Sequence, residues 1–374
     1  FADPDGDGDL DLYVVNYLDY TLEDHVLCRD PESGIPGYCH PANLKPEHDL
    51  FYRNLGDGRF EDATAEVGLG QASGKGLGVV FTDLDGDGWP DVYVANDTTP
   101  NLLFRNRGNG TFEDDSLLSG TAFGDRMTPE AGMGIAIGDA DGNGFPDLVV
   151  TNFALETNAF YRNEGGNLFS DARWIVGIAE PSLRKLGFGA SFGDLDQDGL
   201  LDLVIANGHI FPSVDQTMPG FTYAQRNQIF VGVGQGRFSA CDGCGLDEVR
   251  VSRGLAVGDL DGDLDLDLVF TNSNGRAEVY ENISAPIGRA LSIRLTGASR
   301  NTHGIGARVE LVAGAAPQFA QLITASSYLS QGPLAVHFGV GAVERIGAIR
   351  VTWPDGARQE YRGLDSGSKL RLYQ

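Results

Sequence analysis

Asp83-Leu84-Asp85-Gly86-Asp87-Gly88-Trp89-Pro90-Asp91, running straight into Val92-Tyr93-Val94-Ala95-Asn96, is the stretch on which the fold turns. Four acidic side chains alternate with small or turn-forming residues, and the pattern then switches to a short apolar strand. The same unit begins again at Asp3, Asp139, Asp194 and Asp259, at spacings of 80, 56, 55 and 65 residues, and its strand always ends in Asn. One supersecondary unit is therefore repeated five times, and such a unit buries its apolar face only against its neighbours.

A second motif follows each loop. It reads Tyr52-Arg53-Asn54-Leu55-Gly56-Asp57-Gly58-Arg59-Phe60, then Phe104-Arg105-Asn106-Arg107-Gly108-Asn109-Gly110-Thr111-Phe112, and recurs in degenerate form at Tyr161-Arg162-Asn163, Phe230-Val231-Gly232 and Tyr280-Glu281-Asn282. Its Asn/Gly centre is a hairpin turn, since those residues take positive φ at little cost. The second unit thus predicts strands over 78–82, 92–96, 102–106 and 111–114, with the acidic loop at 83–91. Four short antiparallel strands per ~50–60 residues make one propeller blade. Helical periodicity is absent. From Ser284 the repeats stop, and alternation over 290–295, 307–312, 318–324, 334–338, 349–353 and 369–373 predicts a small β-sandwich. The expected division is a propeller over 1–283 and a sandwich over 284–374.

The acidic loop suits a hard cation. Calcium takes six to eight oxygens at about 2.3–2.6 Å and tolerates irregular geometry. Loop positions 1, 3, 5 and 9 offer side-chain oxygens, position 7 offers a backbone carbonyl, and Gly at position 6 permits the sharp turn. The candidate ligands are Asp3, Asp5, Asp7, Asp9 and Asp11; Asp83, Asp85, Asp87, Trp89 and Asp91; Asp139, Asp141, Asn143, Phe145 and Asp147; Asp194, Asp196, Asp198, Leu200 and Asp202; and Asp259, Asp261, Asp263, Asp265 and Asp267. Position 12 is Val14, Val94, Val150, Ile205 or Phe270, inside a strand, so this is no EF-hand. Up to five Ca²⁺ ions are expected, each structural, because nothing in the loops supplies a base beside an open coordination position. The third loop carries one charge fewer, at Asn143. In the fifth, Leu264 replaces the position-6 Gly, which predicts a distorted, weaker or vacant site.

Charge follows the same logic. The net charge is −26, and 21 of the 53 acidic residues lie in the five loops. Such acidity argues against a nucleic-acid partner. The part from Ser284 onward is about +5 and the rest about −31, so the two should attract each other. No run of 18 apolar residues offers a membrane span. Phe1-Ala2-Asp3 matches Phe81-Thr82-Asp83, which leaves no room for a preceding strand and predicts further chain upstream.

Units one and four carry extra residues, over 17–49 and 208–227, between their second and third strands. In an up-and-down blade that connection lies on the face opposite the acidic loops. The insertions are either a partner-binding surface or decoration over a blade edge. Cys28 with Cys39, and Cys241 with Cys244, read as two local disulfides, with a redox or zinc CxxC as the alternative for the second pair. His25, His40, His48 and His209 fall in the insertions, either scattered or clustered for metal binding or acid–base chemistry.

The loop, strand and hairpin motif resemble the FG-GAP/VCBS repeat of integrin α-chain propellers. Asn301-Thr302-His303-Gly304-Ile305-Gly306-Ala307-Arg308-Val309, Ser327-Tyr328-Leu329-Ser330-Gln331, His337-Phe338-Gly339 and Val351-Thr352-Trp353-Pro354-Asp355-Gly356 resemble the ASPIC/UnbV domain. Together they are similar to bacterial relatives of cartilage acidic protein. The resemblance implies a secreted protein, extracellular or periplasmic, with a seven-bladed calcium-loaded propeller and a transthyretin-like sandwich. The expected function is non-enzymatic binding, adhesion or scaffolding toward a protein or glycan, with a homo-oligomer or larger surface assembly as a further form. The alternative is an enzyme acting on polysaccharide or a secreted metabolite, its site on the face bearing the insertions.

Overall fold

The computed structural model describes residues 1–374 except 31, 32, 72, 285, 286, 299 and 315. Val92, Tyr93, Val94 and Ala95 are fully buried, because their strand is flanked on both sides and covered on both faces. That strand, Asp91–Asn96, pairs antiparallel with Gly76–Thr82 and with Leu102–Asn106, and Phe112–Asp114 completes the sheet. These are the predicted strands of unit two, within two residues.

Units three and four repeat the order. They comprise Ile135–Gly138, Asp147–Val150, Ala159–Asn163 and Phe169–Asp171, then Gly187–Gly193, Asp202–Asn207, Gln228–Gly232 and Phe238–Ala240. Unit one has three strands, Leu12–Val14, Leu50–Asn54 and Phe60–Asp62. Unit five also has three, Ser252–Gly258, Asp267–Asn272 and Glu278–Tyr280. The first strands of units two to five lie side by side in chain order, as in a propeller. Each neighbouring pair of sheets shares a core: Phe51 with Phe104, Tyr93 with Tyr161, Phe160 with Phe230, and Ile229 with Phe270. Three single-turn helices, Ser116–Ser119, Ala179–Ser182 and Val214–Thr217, depart from the helix-free expectation. One turn is too short to leave a periodicity.

The C-terminal strands form two facing sheets. One holds Val336–Gly341, Arg289–Thr296 and Ser368–Tyr373, and the other Gln318–Gln321, Arg308–Val312, Ala348–Thr352 and Arg358–Tyr361. The last strand of the second sheet was not foreseen. Leu291, Ile293, Val309, Phe338, Ile349 and Trp353 fill the space between the sheets.

A segment of this sandwich enters the ring. Ser327 exchanges both backbone hydrogen bonds with Ile135, at 3.1 and 2.6 Å, and the Tyr328 ring lies 5.0 Å from Phe188. The inner strands make room with glycine: a Cβ on Gly254 would fall 2.5 Å from Ser330 Oγ.

Both insertions leave the ends of strands that start at the acidic loops, so they lie on the opposite face. They touch there, with the Tyr38 and Phe211 rings 5.9 Å apart. Cys28–Cys39 staples the first insertion, and Cys241–Cys244 is also a disulfide.

Candidate metal centres

Each acidic loop folds around its own backbone before any ion is considered. In loop two, the position-1 carboxylate of Asp83 accepts from Gly86 N at 2.7 Å and Gly88 N at 3.0 Å. Asp85 accepts from Asp87 N, and Asp87 from Trp89 N. Asp91, at position 9, accepts from Leu84 N at 3.0 Å with one oxygen and from Asn106 N at 2.8 Å with the other. The pattern recurs. Asp11, Asp147, Asp202 and Asp267 accept from Asn54, Asn163, Gly232 and Asn282 respectively. Position 9 thus ties the loop to its own hairpin motif.

These turns gather five sets of carboxylates whose oxygens lie within 4.8 Å of one another: Asp3, Asp5 and Asp7; Asp83, Asp85 and Asp91; Asp139, Asp141 and Asp147; Asp194, Asp196 and Asp202; Asp259, Asp261 and Asp263. Asp198 accepts from Leu200 N, so its carboxylate stays beside the fourth set. Asn143 accepts from Phe145 N and donates to Asn163 O at 2.8 Å, which fixes its amide oxygen toward the loop. Asp9, Trp89, Phe145, Leu200 and Asp265 all stand at position 7. The Trp89 ring covers Gly6 of the neighbouring loop, and Phe145 covers Gly86.

Electrostatics set these carboxyls apart. Burial, reinforced by adjacent carboxylates, pushes Asp147 up to about 8, Asp11 and Asp194 to about 7, and Asp3, Asp83 and Asp202 to about 6. Asp91 is likewise raised well above its ordinary value. At Asp259 burial also pushes upward, but the Lys369 ammonium and the backbone N–H groups of Gly262 and Leu264 together outweigh it and hold the carboxyl below its ordinary range. An all-oxygen set of close, partly buried carboxylates fits a hard divalent cation.

Both turn positions of the loop are left-handed. Position 6 carries φ of 89°, 95°, 93° and 95° at Gly8, Gly88, Gly144 and Gly199, and 81° at Leu264. Leu264 therefore keeps the turn at a cost of about 1–2 kcal/mol. Replacing Leu264 with Gly should raise stability by about 1 kcal/mol in a thermal melt, whereas Leu264→Ala, which keeps the Cβ, should not. A Gly variant no more stable than the Ala variant would contradict the strain.

The hairpin Asn does more than turn the chain. Asn106 Nδ2 donates to Pro4 O, Asn163 Nδ2 to Leu84 O and Asn282 Nδ2 to Leu195 O, at 2.8 Å in each case. Each acceptor lies in the loop of a neighbouring unit, so this Asn clips blade to blade. Its recurrence beside the Gly-rich turn was the available signal.

The sandwich covers the acidic face and reaches every loop. Arg300 pairs with Asp9 at 2.5 Å, Gln321 donates to Asp83 O at 2.7 Å, and Arg308 donates to Gly144 O at 2.8 Å. Gly341 N donates to Gln197 O at 3.0 Å, and Lys369 pairs with Asp259 at 2.6 Å. Only two of these contacts are ion pairs, so bulk charge attraction explains a part of the interface. A cavity of about 530 Å³ between units three and four and the sandwich is lined by Asp139, Asp141, Asp194 and Asp198.

The four insertion histidines do not converge. Tyr20 lies against His25 Nδ1, His40 Nδ1 accepts from Ala42 N, His48 pairs with Ser73 in a strand, and His209 is buried between Phe153 and Phe211. On that face sequence reasoning missed Tyr17, which donates to Asp97 at 2.5 Å, and Arg253, whose guanidinium lies 4.0 Å over Phe188.

The family described as FG-GAP-like repeat matches residues 42–94, 83–150 and 139–205, and that described as ASPIC and UnbV matches 297–374. Cartilage acidic protein 1 of Xenopus tropicalis is 26% identical over 360 residues, covering 95% of this chain and 50% of its own length. The Homo sapiens protein of that name is 25% identical over 375 residues, covering 98% and 51%. The chain spans about half the length of the curated relatives it matches. A solved Agrocybe aegerita lectin, described as recognising non-reducing terminal N-acetylglucosamine, gives a TM-score of 0.35 at 18% identity, covering 71% of this chain and 67% of its own.

Proposed function

For a chain that carries FG-GAP-like repeats and a C-terminal ASPIC and UnbV domain, we propose an extracellular binding module, stiffened by calcium in the acidic loops, that recognises a protein or glycan through the face bearing the insertions. Calcium, when bound, supplies positive charge that closes each turn. The Asp side chains at positions 1, 3, 5 and 9, with Asn143 in the third loop, would hold it.

One observation carries the reading. The sandwich occupies the acidic face, while the opposite face presents a disulfide-stapled insertion with Leu22 90%, Leu27 75% and Tyr38 69% exposed. Apolar side chains held out on a covalently closed loop suit a partner surface. The test applies the calcium-loaded protein to a panel of extracellular polysaccharides and matrix proteins, beside a variant with Leu22, Leu27 and Tyr38 changed to Ser. The native chain should bind a panel member, and the variant should lose tenfold or more of that affinity with an unchanged melt. Equal binding by both would remove the insertion from the account.

A second reading, an enzyme on the same face, draws on Tyr17, Asp97, Tyr328 and Arg253, which gather where the sandwich segment enters the ring. A Tyr328→Phe variant that depolymerises polysaccharide as fast as the native chain, or a native chain that depolymerises none, would end it.

The raised carboxyls also predict a pH dependence. In chelator, the folded chain holds protons on Asp147, Asp11 and Asp194 up to about 8, 7 and 7, against an ordinary 3.8. The stability this gives is complete below pH ~4 and is lost as pH rises through ~6–8. Metal-free protein should therefore melt higher at pH 5 than at pH 8. In excess calcium the order should reverse, since protons then compete with the ion.

A further inference from the structure

We propose that in the fifth loop the ammonium of Lys369 takes the place that a divalent cation holds in the other four. The inference rests on the calcium reading above.

Position 1 is the anchor of every loop, since both of its oxygens accept backbone N–H groups. In loop five Asp259 accepts from Gly262 N at 2.7 Å and from Leu264 N at 3.2 Å. Among the described residues, Asp259 is the position-1 carboxylate that a side-chain cation meets: Lys369 Nζ stands 2.6 Å from its Oδ2. Asp3, Asp83, Asp139 and Asp194 enter no ion pair among the described residues. The cation of loop one, Arg300, goes instead to Asp9 at position 7 and leaves positions 1, 3, 5 and 9 uncovered.

Lys369 is held in place by the sheet. It lies on the strand Ser368–Tyr373, paired in parallel register with Ser292, and its Nζ sits over the turn, 3.3 Å from where a Gly262 Cβ would be. A calcium ion bound to the Asp259 oxygens at about 2.3–2.6 Å would share that space with an ammonium, and the two charges would repel strongly. His337 adds a second sandwich group, with Nε2 donating to Leu264 O at 2.9 Å. Loop five is thus closed from the sandwich side by a lysine and a histidine. Its Leu264, strained at position 6, is tolerable because the turn no longer has to wrap an ion. One cation is then supplied from within the chain, and it ties the fifth unit to the sandwich.

The test counts calcium bound per chain at saturation, by elemental analysis after gel filtration, in the native protein and in Lys369→Gln and Asp259→Asn variants. Lys369 is solvent-exposed, and Gln keeps most of its stem. Lys369→Gln should bind one ion more than the native chain, and Asp259→Asn the same number as the native chain. Equal counts in native and Lys369→Gln protein of matching circular dichroism would overturn the proposal, and so would the loss of one ion in Asp259→Asn. If Lys369→Gln fails to fold, the Asp259→Asn count decides alone. A native chain that retains no calcium would overturn the calcium reading itself, an outcome distinct from a native chain that fills every loop.

Discussion

Chelation of calcium should lower the melting temperature by about 15 °C. At a hundredfold excess of free ion over Kd, one site adds about 2.7 kcal/mol to the stability of the folded state. Several such sites together match the ~5–15 kcal/mol that holds a whole domain folded. In a chain of this size 1 kcal/mol moves the melt by roughly 1–2 °C. The residues make the effect concrete. Asp83 and Asp91 are buried within the same turn as Asp85 and Asp87, and without a cation the folded chain must either repel itself or protonate them. A thermal melt in excess chelator beside one in excess calcium measures the difference. Coincident melts would mean that backbone N–H groups alone sustain the turns.

Arg173→Met should cost about 3–5 kcal/mol, the largest loss expected from a single substitution outside the loops. The Arg173 side chain is 0% exposed and pairs with Glu130 at 2.8 Å and Asp171 at 2.8 Å. It also donates to Thr157 O at 3.1 Å. Glu130 in turn accepts from Asn152 Nδ2 at 2.9 Å, so the network joins the end of the third unit to the loop before its first strand. Removing the guanidinium leaves two carboxylates with no cation between them. Burial already pushes Glu130 above its ordinary value, against the pull of Arg173. Arg173→Lys should recover a part of the loss, because an ammonium cannot span two carboxylates as a planar fork does. In Arg173→Met combined with Glu130→Gln the deficit should shrink, since one stranded charge is gone. Denaturant unfolding gives the numbers, and a loss under about 1 kcal/mol for Arg173→Met would show that water screens the site.

The repeat was legible because its signal is local. A loop of alternating Asp and Gly, an apolar strand and an Asn/Gly hairpin each occupy fewer than ten residues, and five in-frame copies fix their order. Both disulfides were legible for the same reason, with partners three and eleven residues apart. The docking of the sandwich was legible in sign alone. The charge split gave attraction, but Gln321 on Asp83 and Arg308 on Gly144 link residues 238 and 164 apart, and neither leaves a periodicity. The entry of Ser327 and Tyr328 into the ring was invisible for a similar reason. The partners that accommodate them, Gly189 and Gly254, read in the sequence as ordinary strand glycines. Lys369 sits in an alternating strand, and nothing in the strand pattern tells its ammonium from any solvated charge. The insertion histidines were a fair suspicion from clustering, but each found a local partner first.

The account stands on divalent ions inside the acidic turns. Its most direct test is a crystal structure grown in calcium, with anomalous difference maps recorded at long wavelength. The account predicts peaks in the first four loops, each about 2.3–2.6 Å from the oxygens of positions 1, 3, 5 and 9, and no peak beside Asp259. Loops that keep their shape around ordered water alone, with no anomalous signal, would contradict it.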